Sequence, residues 1–466
     1  MKVNILKTTI VRPSDKDEAN PDHHGRRRLW LSNLDLVHGK VHESTVYLYK
    51  PSERNYFDIE LLKEALSRAL VPFHPLAGRL ARDEKGRIEV DCNGEGVSFF
   101  EAESDASLDE LGEFMLGDEL LKLVPRVDYS NHEISSCPLV LLQVTRFKCD
   151  GLSLGTAIHH SVADGESALS FIKTWSNLAR GLPAAVKPFM DNTILRARNP
   201  PSPKFHHFEY DPAPTLINNP NQPGNRTTMA IFRFEPDQLN ALKKLANPTG
   251  TASKIRYSTY QILTAHIWRS ASKARGGLAP DQPTRLHMAV DGRSRLTIPP
   301  VPSSYFGNVI FHAAPVATVG ELTTEPLVRT LERIRDAIDK MDDSYLRSAI
   351  DYLEDPDGDD PASVMQVGGT CRSPNLKIVS WIRLPLECCR PAGLFEGYGN
   401  LLPGSGDDGS LILAICLEVE AMVAFKIISC PIRELGRAKD LYVRSRTRCE
   451  VVDHLTKWLT SDLVVN

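Results

Sequence analysis

Leu152-Ser153-Leu154-Gly155-Thr156-Ala157-Ile158-His159-His160-Ser161-Val162-Ala163-Asp164-Gly165 is the stretch that decides how this chain is read. Residues 152–158 are apolar enough for a buried strand. Beyond Gly165, Leu169, Ile172, Trp175 and Leu178 recur at helical spacing. The segment is therefore a strand-to-helix junction, and it puts His160 where a side chain can reach a cleft. Imidazole is the side chain whose unperturbed pKa lies near neutral pH. His160 is thus suited to take a proton from a hydroxyl or an amine. The competing reading is a histidine pair that ends a buried strand and only satisfies hydrogen bonds. The local pattern leaves both open.

The pattern extends on both sides. Upstream, Leu139 to Phe147 reads as a strand, and Asp150-Gly151 is a hairpin turn signal before the next one. Thr45-Val46-Tyr47-Leu48-Tyr49 is a further strand, rich in branched and aromatic residues. Asp58 can cap a helix carrying Leu61, Leu62, Ala65, Leu66, Ala69 and Leu70, which Pro72 ends. Downstream, seven prolines between Pro200 and Pro223 forbid regular structure and suit a long crossover over 196–228.

The second half opens with a strand from Ala230 to Phe234. A short helix from Pro236 to Leu245 and a longer one from Ser258 to Arg275 follow. Strands are expected at Leu286 to Val290, Val309 to Ala314, Lys377 to Arg383 and Leu411 to Glu418. Strands and helices alternate without a Rossmann glycine fingerprint or an internal repeat. Both halves read as α/β sandwiches: an N-terminal domain over 1–195, the linker over 196–228, a C-terminal domain over 229–430 and a tail over 431–466.

Bulk properties exclude several classes. The 466 residues, 42% apolar and 24% charged, are long enough for two or three domains of ordinary globular composition. A formal net charge of −4 gives no electrostatic case for a nucleic-acid partner. No run of about 18 apolar residues suggests a membrane span, and the N-terminus lacks a secretory apolar core. A cytoplasmic protein is expected. The nine cysteines include no Cys-x-x-Cys pair, so no metal is assigned.

Other constellations have plain alternatives. Gly151-Leu152-Ser153-Leu154-Gly155 matches a nucleophile-elbow pattern, but the elbow needs a sharp turn at the serine, and here the apolar strand runs on to His160. Asp164, four residues after His160, could orient the imidazole or pair with an arginine. A structural role is the expectation, with Arg293 and Arg295 of Asp291-Gly292-Arg293-Ser294-Arg295 as candidate partners. Tyr305-Phe306-Gly307-Asn308 reads locally as a β-turn. Trp381, in Ser380-Trp381-Ile382-Arg383-Leu384-Pro385, either lines a pocket or fills a core.

Taken together, these segments resemble the BAHD family of plant-type CoA-dependent acyltransferases. The His-x-x-x-Asp-Gly signature is matched by His160 to Gly165, and the Asp-Gly-Arg, Tyr-Phe-Gly-Asn and Ser-Trp-x-Arg-Leu-Pro segments follow in family order. Glu64 to Phe73, Asp91 to Val97 and Tyr345 to Ala349 look like the hydroxycinnamoyl-CoA:shikimate/quinate hydroxycinnamoyltransferase subgroup. The resemblance covers roughly residues 1 to 430. It implies two chloramphenicol-acetyltransferase-like α/β sandwich domains joined by a long crossover loop, with a channel between them. It implies acyl-CoA as a substrate, no cofactor and no metal, and a monomer with small-molecule partners in plant phenylpropanoid metabolism.

Site roles follow from the resemblance. His160 is the expected base, Asp164 its structural support and the Trp381 indole N–H a candidate oxyanion donor. Thr45, Tyr47, Gln366 and Val379 fall at acceptor-side positions. Ser258, Arg293 and Arg295 are expected on the CoA side or in structural roles. The implied reaction moves a hydroxycinnamoyl group such as p-coumaroyl from CoA to a small hydroxyl-bearing acceptor of the shikimate/quinate type.

The departures point to alternatives. The family's second signature, Asp-Phe-Gly-Trp-Gly, should follow Pro385, where the chain reads Leu386 to Gly399 without it. A catalytically impaired form that still binds CoA esters is therefore one alternative. Gln366 stands where the subgroup has an acceptor-carboxylate arginine, and Val379 where it has a threonine. Gln366 cannot form the bidentate charged fork an arginine gives a carboxylate. Glu43 replaces a small hydroxyl residue and would suit a cationic amine, so N-acylation is the second alternative.

Overall fold

The computed structural model describes residues 1–14, 28–38, 41–50, 58–111, 118–126, 129, 133–184, 186–217, 226–247, 256–354, 371–382, 389–391, 394–404 and 408–429. In chain order the strands are β1 (Val3–Val11), β2 (Arg28–Trp30), β3 (His42–Tyr49), β4 (Arg79–Arg82), β5 (Ile88–Asp91), β6 (Val97–Ser104), β7 (Val140–Arg146) and β8 (Leu152–His159). They continue as β9 (Thr227–Phe234), β10 (Pro283–Asp291), β11 (Ile310–Ala313), β12 (Val316–Thr318), β13 (Leu376–Ser380), β14 (Cys389–Pro391), β15 (Tyr398–Pro403) and β16 (Leu411–Glu418). The helices are α1 (Asn33–Leu36), α2 (Ile59–Ala69), α3 (Asp118–Leu121), α4 (Gly165–Ala179), α5 (Pro236–Ala246), α6 (Thr259–Ala274), α7 (Val319–Thr324), α8 (Leu327–Asp339), α9 (Asp343–Tyr352) and α10 (Val419–Ile428).

Two large mixed sheets carry the molecule. The first runs β1-β6-β7-β8-β3-β14 and the second β11-β10-β13-β15-β16-β9, with β12 on β10. Apolar side chains of β6, β7 and β8, among them Phe99, Val140, Leu142 and Ile158, share a core with Phe73, Phe171 and Trp175. The Trp175 indole N–H donates to the Leu62 carbonyl at 2.8 Å and ties α4 to α2. In the second half, Leu286, Met288, Leu376, Ile378, Leu413 and Ile415 pack with Trp268 of α6 and Phe425 of α10.

Caps and turns follow local chemistry. Asp58 accepts from the Glu60 and Leu61 N–H groups and starts α2; Ser258 caps α6 in a reciprocal pair with Gln261. Asp150 takes φ 59° in the turn before β8. Gly155 lets β8 pass beneath the loop after α3, because a Cβ there would sit 1.9 Å from the Leu123 carbonyl oxygen. Ser153 is buried inside β8, with the strand continuing past it, so the sharp turn of a nucleophile elbow is absent at that serine.

The proline-rich crossover is docked. Arg198 Nε pairs with Asp351 at 2.6 Å, and the Lys204 and Phe205 N–H groups donate to Ser348 Oγ at 2.8 and 3.1 Å, both partners lying on α9. One strand of the second half, β14, pairs antiparallel with β3 and extends the first sheet, so the two halves share an edge. The expected strand through Arg383 stops at Ser380, and Trp381 stands just past its end. Gln366 and the tail over 431–466 lie outside the described residues. Among the described residues no helix is long and apolar enough to cross a membrane.

Candidate active site

His160 is the first residue past β8. Its backbone N–H donates to the Val41 carbonyl at 2.8 Å, which pins the turn. Its ring Nδ1 lies 3.1 Å from Asn308 Oδ1. The orientation of that amide is set from behind. Asn308 Nδ2 donates to Asp35 Oδ1 at 2.9 Å and to the His160 carbonyl at 2.7 Å, while the Asn308 backbone N–H donates to the same Asp35 oxygen at 2.8 Å. With its NH2 group engaged twice, Asn308 presents its oxygen to the imidazole, so Nδ1 carries the proton and donates. The free ring nitrogen, Nε2, is then the acceptor, the tautomer a general base needs.

Asp35 is itself held by Ser32. The Ser32 N–H and Oγ donate to Oδ2 at 2.8 and 2.6 Å, and Asn192 Nδ2 adds a contact at 3.3 Å. Burial raises the Asp35 pKa, and the bonds from Ser32 and Asn308 offset part of that rise. The His38 ring stacks on His160 with centroids 4.1 Å apart and planes 8° apart. Burial drives the His38 pKa well below its ordinary value, with His160, His312 and the charge of Lys377 adding to the effect.

Asp164 makes no hydrogen bond or ion pair to the His160 ring; its partners are Ser167, Arg293 and Val309. It caps α4 through the Ser167 N–H at 3.0 Å and takes a two-pronged ion pair from Arg293, at 2.7 Å to Oδ2 and 3.0 Å to Oδ1. The Val309 N–H donates to Oδ2 at 3.2 Å. Burial pushes this carboxyl up, but Arg293 and the backbone donors outweigh it, leaving Asp164 below the usual carboxylate range. Arg293 also donates to Ser167 Oγ and the Gly307 carbonyl, so one guanidinium joins the start of α4 to the loop that positions Asn308.

A strand-to-helix histidine is thus held by the opposite half of the chain, at the end of a mixed sheet whose last strand, β14, also comes from that half. The Transferase family matches residues 1–428. The chain belongs to the BAHD acyltransferase family. It is 46% identical over 444 residues to the shikimate O-hydroxycinnamoyltransferase of Nicotiana tabacum, covering 91% of this chain and 99% of that protein. It is 44% identical over 454 residues to a hydroxycinnamoyl-CoA:5-hydroxyanthranilate N-hydroxycinnamoyltransferase of Avena sativa, with the same coverage. The crystal structure of vinorine synthase shares the fold at a TM-score of 0.69 and 19% identity, covering 91% of this chain and 96% of that one. The chain is therefore an acyltransferase with the two-domain chloramphenicol-acetyltransferase-like fold.

The remaining expected BAHD site residues divide into two groups. Trp381 packs against the Tyr47 cluster of the first half and the Leu402, Ile412 and Ala414 cluster of the second, bridging the two. No hydrogen bond among the described residues engages its indole N–H. Thr45 Oγ1 lies 2.6 Å from Thr156 Oγ1, and Tyr47 lies two residues further along the same face of β3. Val379 lies on β13, on the face of Trp381. The other group is structural here. Ser258 is the α6 cap, and Arg295 donates to the Ile338 and Met341 carbonyls at 3.2 and 2.8 Å, while Arg293 holds Asp164.

Sequence reasoning missed Asp35 and His38, and it read Asn308 as part of a turn. The one available signal was Ser32-Asn33-Leu34-Asp35, a helix-cap pattern whose aspartate is more than a local cap. Among the described residues no group of three or more His, Cys, Asp or Glu side chains converges as a metal-ligand set.

Proposed function

We propose that this acyltransferase moves a hydroxycinnamoyl group, such as p-coumaroyl, from CoA to the hydroxyl of a small acceptor of the shikimate/quinate type. His160 acts as general base. The observation that carries this reading is the chain Ser32–Asp35–Asn308–His160, which leaves Nε2 as the acceptor nitrogen. The acceptor hydroxyl gives its proton to Nε2 as its oxygen attacks the thioester carbonyl carbon. The tetrahedral oxyanion is met by a donor, for which the Trp381 indole N–H is the candidate. Collapse breaks the carbon–sulfur bond, and the imidazolium returns its proton to the CoA thiolate. Asp164 plays no part in proton transfer; it holds the frame.

An amine acceptor is the second reading. Glu43 shares a face of β3 with Thr45 and Tyr47 and bears electrostatically on Tyr398, so a carboxylate stands on the acceptor-side strand. The Avena sativa relative is named as an N-acyltransferase. Incubating the protein with p-coumaroyl-CoA and a pool of shikimate, quinate and 5-hydroxyanthranilate, then identifying products by mass spectrometry, separates the two. Ester products support the first reading. Amides alone would replace it with the second.

A further inference from the structure

The second sheet turns a polar face toward His160. His287 and Lys377 are register partners on the adjacent strands β10 and β13, and Lys377 pairs in turn with Tyr398 of β15. Its amino group stands 5.8 Å from the Tyr398 ring centroid. His312 of β11 pairs with Ala289, two residues beyond His287 on the same face. His38, from the other half of the chain, closes the group, with its ring centroid 6.0 Å from that of His312. His312 and His287 lie 6.3 Å apart. From the base outward the order is His160, His38, His312, His287, with Lys377 beside the last.

These groups are buried and unmatched. His38, His287 and His312 are 5%, 0% and 2% exposed, and Lys377 is 9% exposed. His38 Nε2 and both ring nitrogens of His287 and of His312 have no hydrogen-bond partner among the described residues. Buried polar atoms are almost always paired, so five such nitrogens on three neighbouring rings need a reason. Lys377 makes no ion pair among the described residues, and its positive charge acts on all three imidazoles. Glu43 acts on Tyr398 without forming an ion pair with Lys377. His312 also lines a separate cavity of about 250 Å³ whose charged walls carry both signs, Arg333 and Lys340 with Glu209 and Asp336.

We propose that Lys377, His287, His312 and His38 form an anion-binding subsite beside His160 that receives a carboxylate carried by one of the two substrates. A neutral imidazole can turn one N–H toward an anion, and a lysine offers three donors. A carboxylate accepts at up to four lone-pair sites and so can satisfy this ring of donors. The unpaired positive charge makes the preference anionic, and the adjoining His160 places the anion within a small molecule's span of the reacting atom. The charged anchor missing at Gln366 is thereby supplied from β13. The proposal rests on the acyl-transfer reading for its place in catalysis, but binding of the anion does not.

The carboxylate can belong to the acceptor or to the acyl group, and two arms of one experiment distinguish them. Wild type, Lys377→Met and Lys377→Arg are compared on shikimate against its methyl ester with p-coumaroyl-CoA, and on succinyl-CoA against butyryl-CoA with one acceptor. In one arm, Lys377→Met lowers the carboxylate-over-neutral ratio of kcat/KM by about 10- to 100-fold, the size of a charge-assisted hydrogen bond, and Lys377→Arg restores part of it. Calorimetric titration with shikimate and, separately, succinyl-CoA reads binding without turnover. Binding that is lost in Lys377→Met and regained in Lys377→Arg supports the subsite even if no acyl transfer is seen, in which case the acyl-transfer reading fails alone. Equal ratios and equal binding in all three proteins would overturn the subsite.

Discussion

Asp35 and Asn308 are 273 residues apart in sequence and meet through two hydrogen bonds to one carboxylate oxygen, at 2.8 and 2.9 Å. This contact joins the two halves of the molecule directly behind His160. Its consequence is electronic as well as mechanical, because it sets which way the Asn308 amide faces and therefore which nitrogen of His160 carries the proton.

Replacing Asn308 by alanine should free the imidazole to adopt either tautomer. We expect kcat to fall on the order of 10²-fold, within the usual worth of a positioned general base, with little change in KM for acyl-CoA. Steady-state kinetics with thiol detection of released CoA checks this, and a rise in KM with kcat unchanged would contradict it.

The Arg293–Asp164 pair is a stability element. Arg293→Ala leaves a buried carboxylate without its partner and should cost about 3–5 kcal/mol, read as a lower urea midpoint. Replacing both residues by apolar ones of similar volume should cost less than the single change. Because Asp164 is held below its ordinary pKa, its contribution is complete above about pH 4 and is lost as pH falls further. The Arg293→Ala protein should therefore show a flatter acid limb.

Acid should unfold this protein from an unusually high pH. Burial holds His38 and His312 well below 6.5 and takes His42 to about 4 and His287 to about 3. The unfolded chain binds protons at these sites near pH 6.5, whereas the folded one does not. Stability is thus full above pH 6.5 and declines as pH falls, by up to about 1.4 kcal/mol per pH unit for each such residue. Urea midpoints at pH 7.5, 6 and 5 measure the slope. His287→Phe should reduce it.

Trp381→Phe keeps a large ring between the Tyr47 and Leu402 clusters but removes the indole N–H. If that group meets the oxyanion, kcat should fall by about 10²–10³-fold while KM for acyl-CoA holds. A loss of thermal stability without a kcat effect would make Trp381 a packing residue only.

How much of this was legible in the sequence depended on distance along the chain. β8 and α4 were readable because a buried apolar run and a 3.6-residue stripe are local signals, and the Asp58 cap because caps act within three residues. The Asp35–Asn308–His160 chain was not, since each link spans more than a hundred residues. β14 was hidden because a three-residue strand ending in Pro391 carries almost no pattern. That proline fits the strand's place at the sheet edge, where no ladder donor is needed. The α7, α8 and α9 helices went unmarked between motifs, although α9 anchors the crossover through Ser348 and Asp351.

Comparing wild type with His160→Ala decides whether His160 is the base of a direct acyl transfer. The most direct measurement is product formation from p-coumaroyl-CoA and the mixed acceptor pool by wild type and His160→Ala, followed by mass spectrometry and CoA release. We expect p-coumaroyl esters from wild type and a kcat reduced by about 10²–10⁴-fold in His160→Ala, with the variant's thermal stability near wild type. Equal turnover by the two proteins would contradict it.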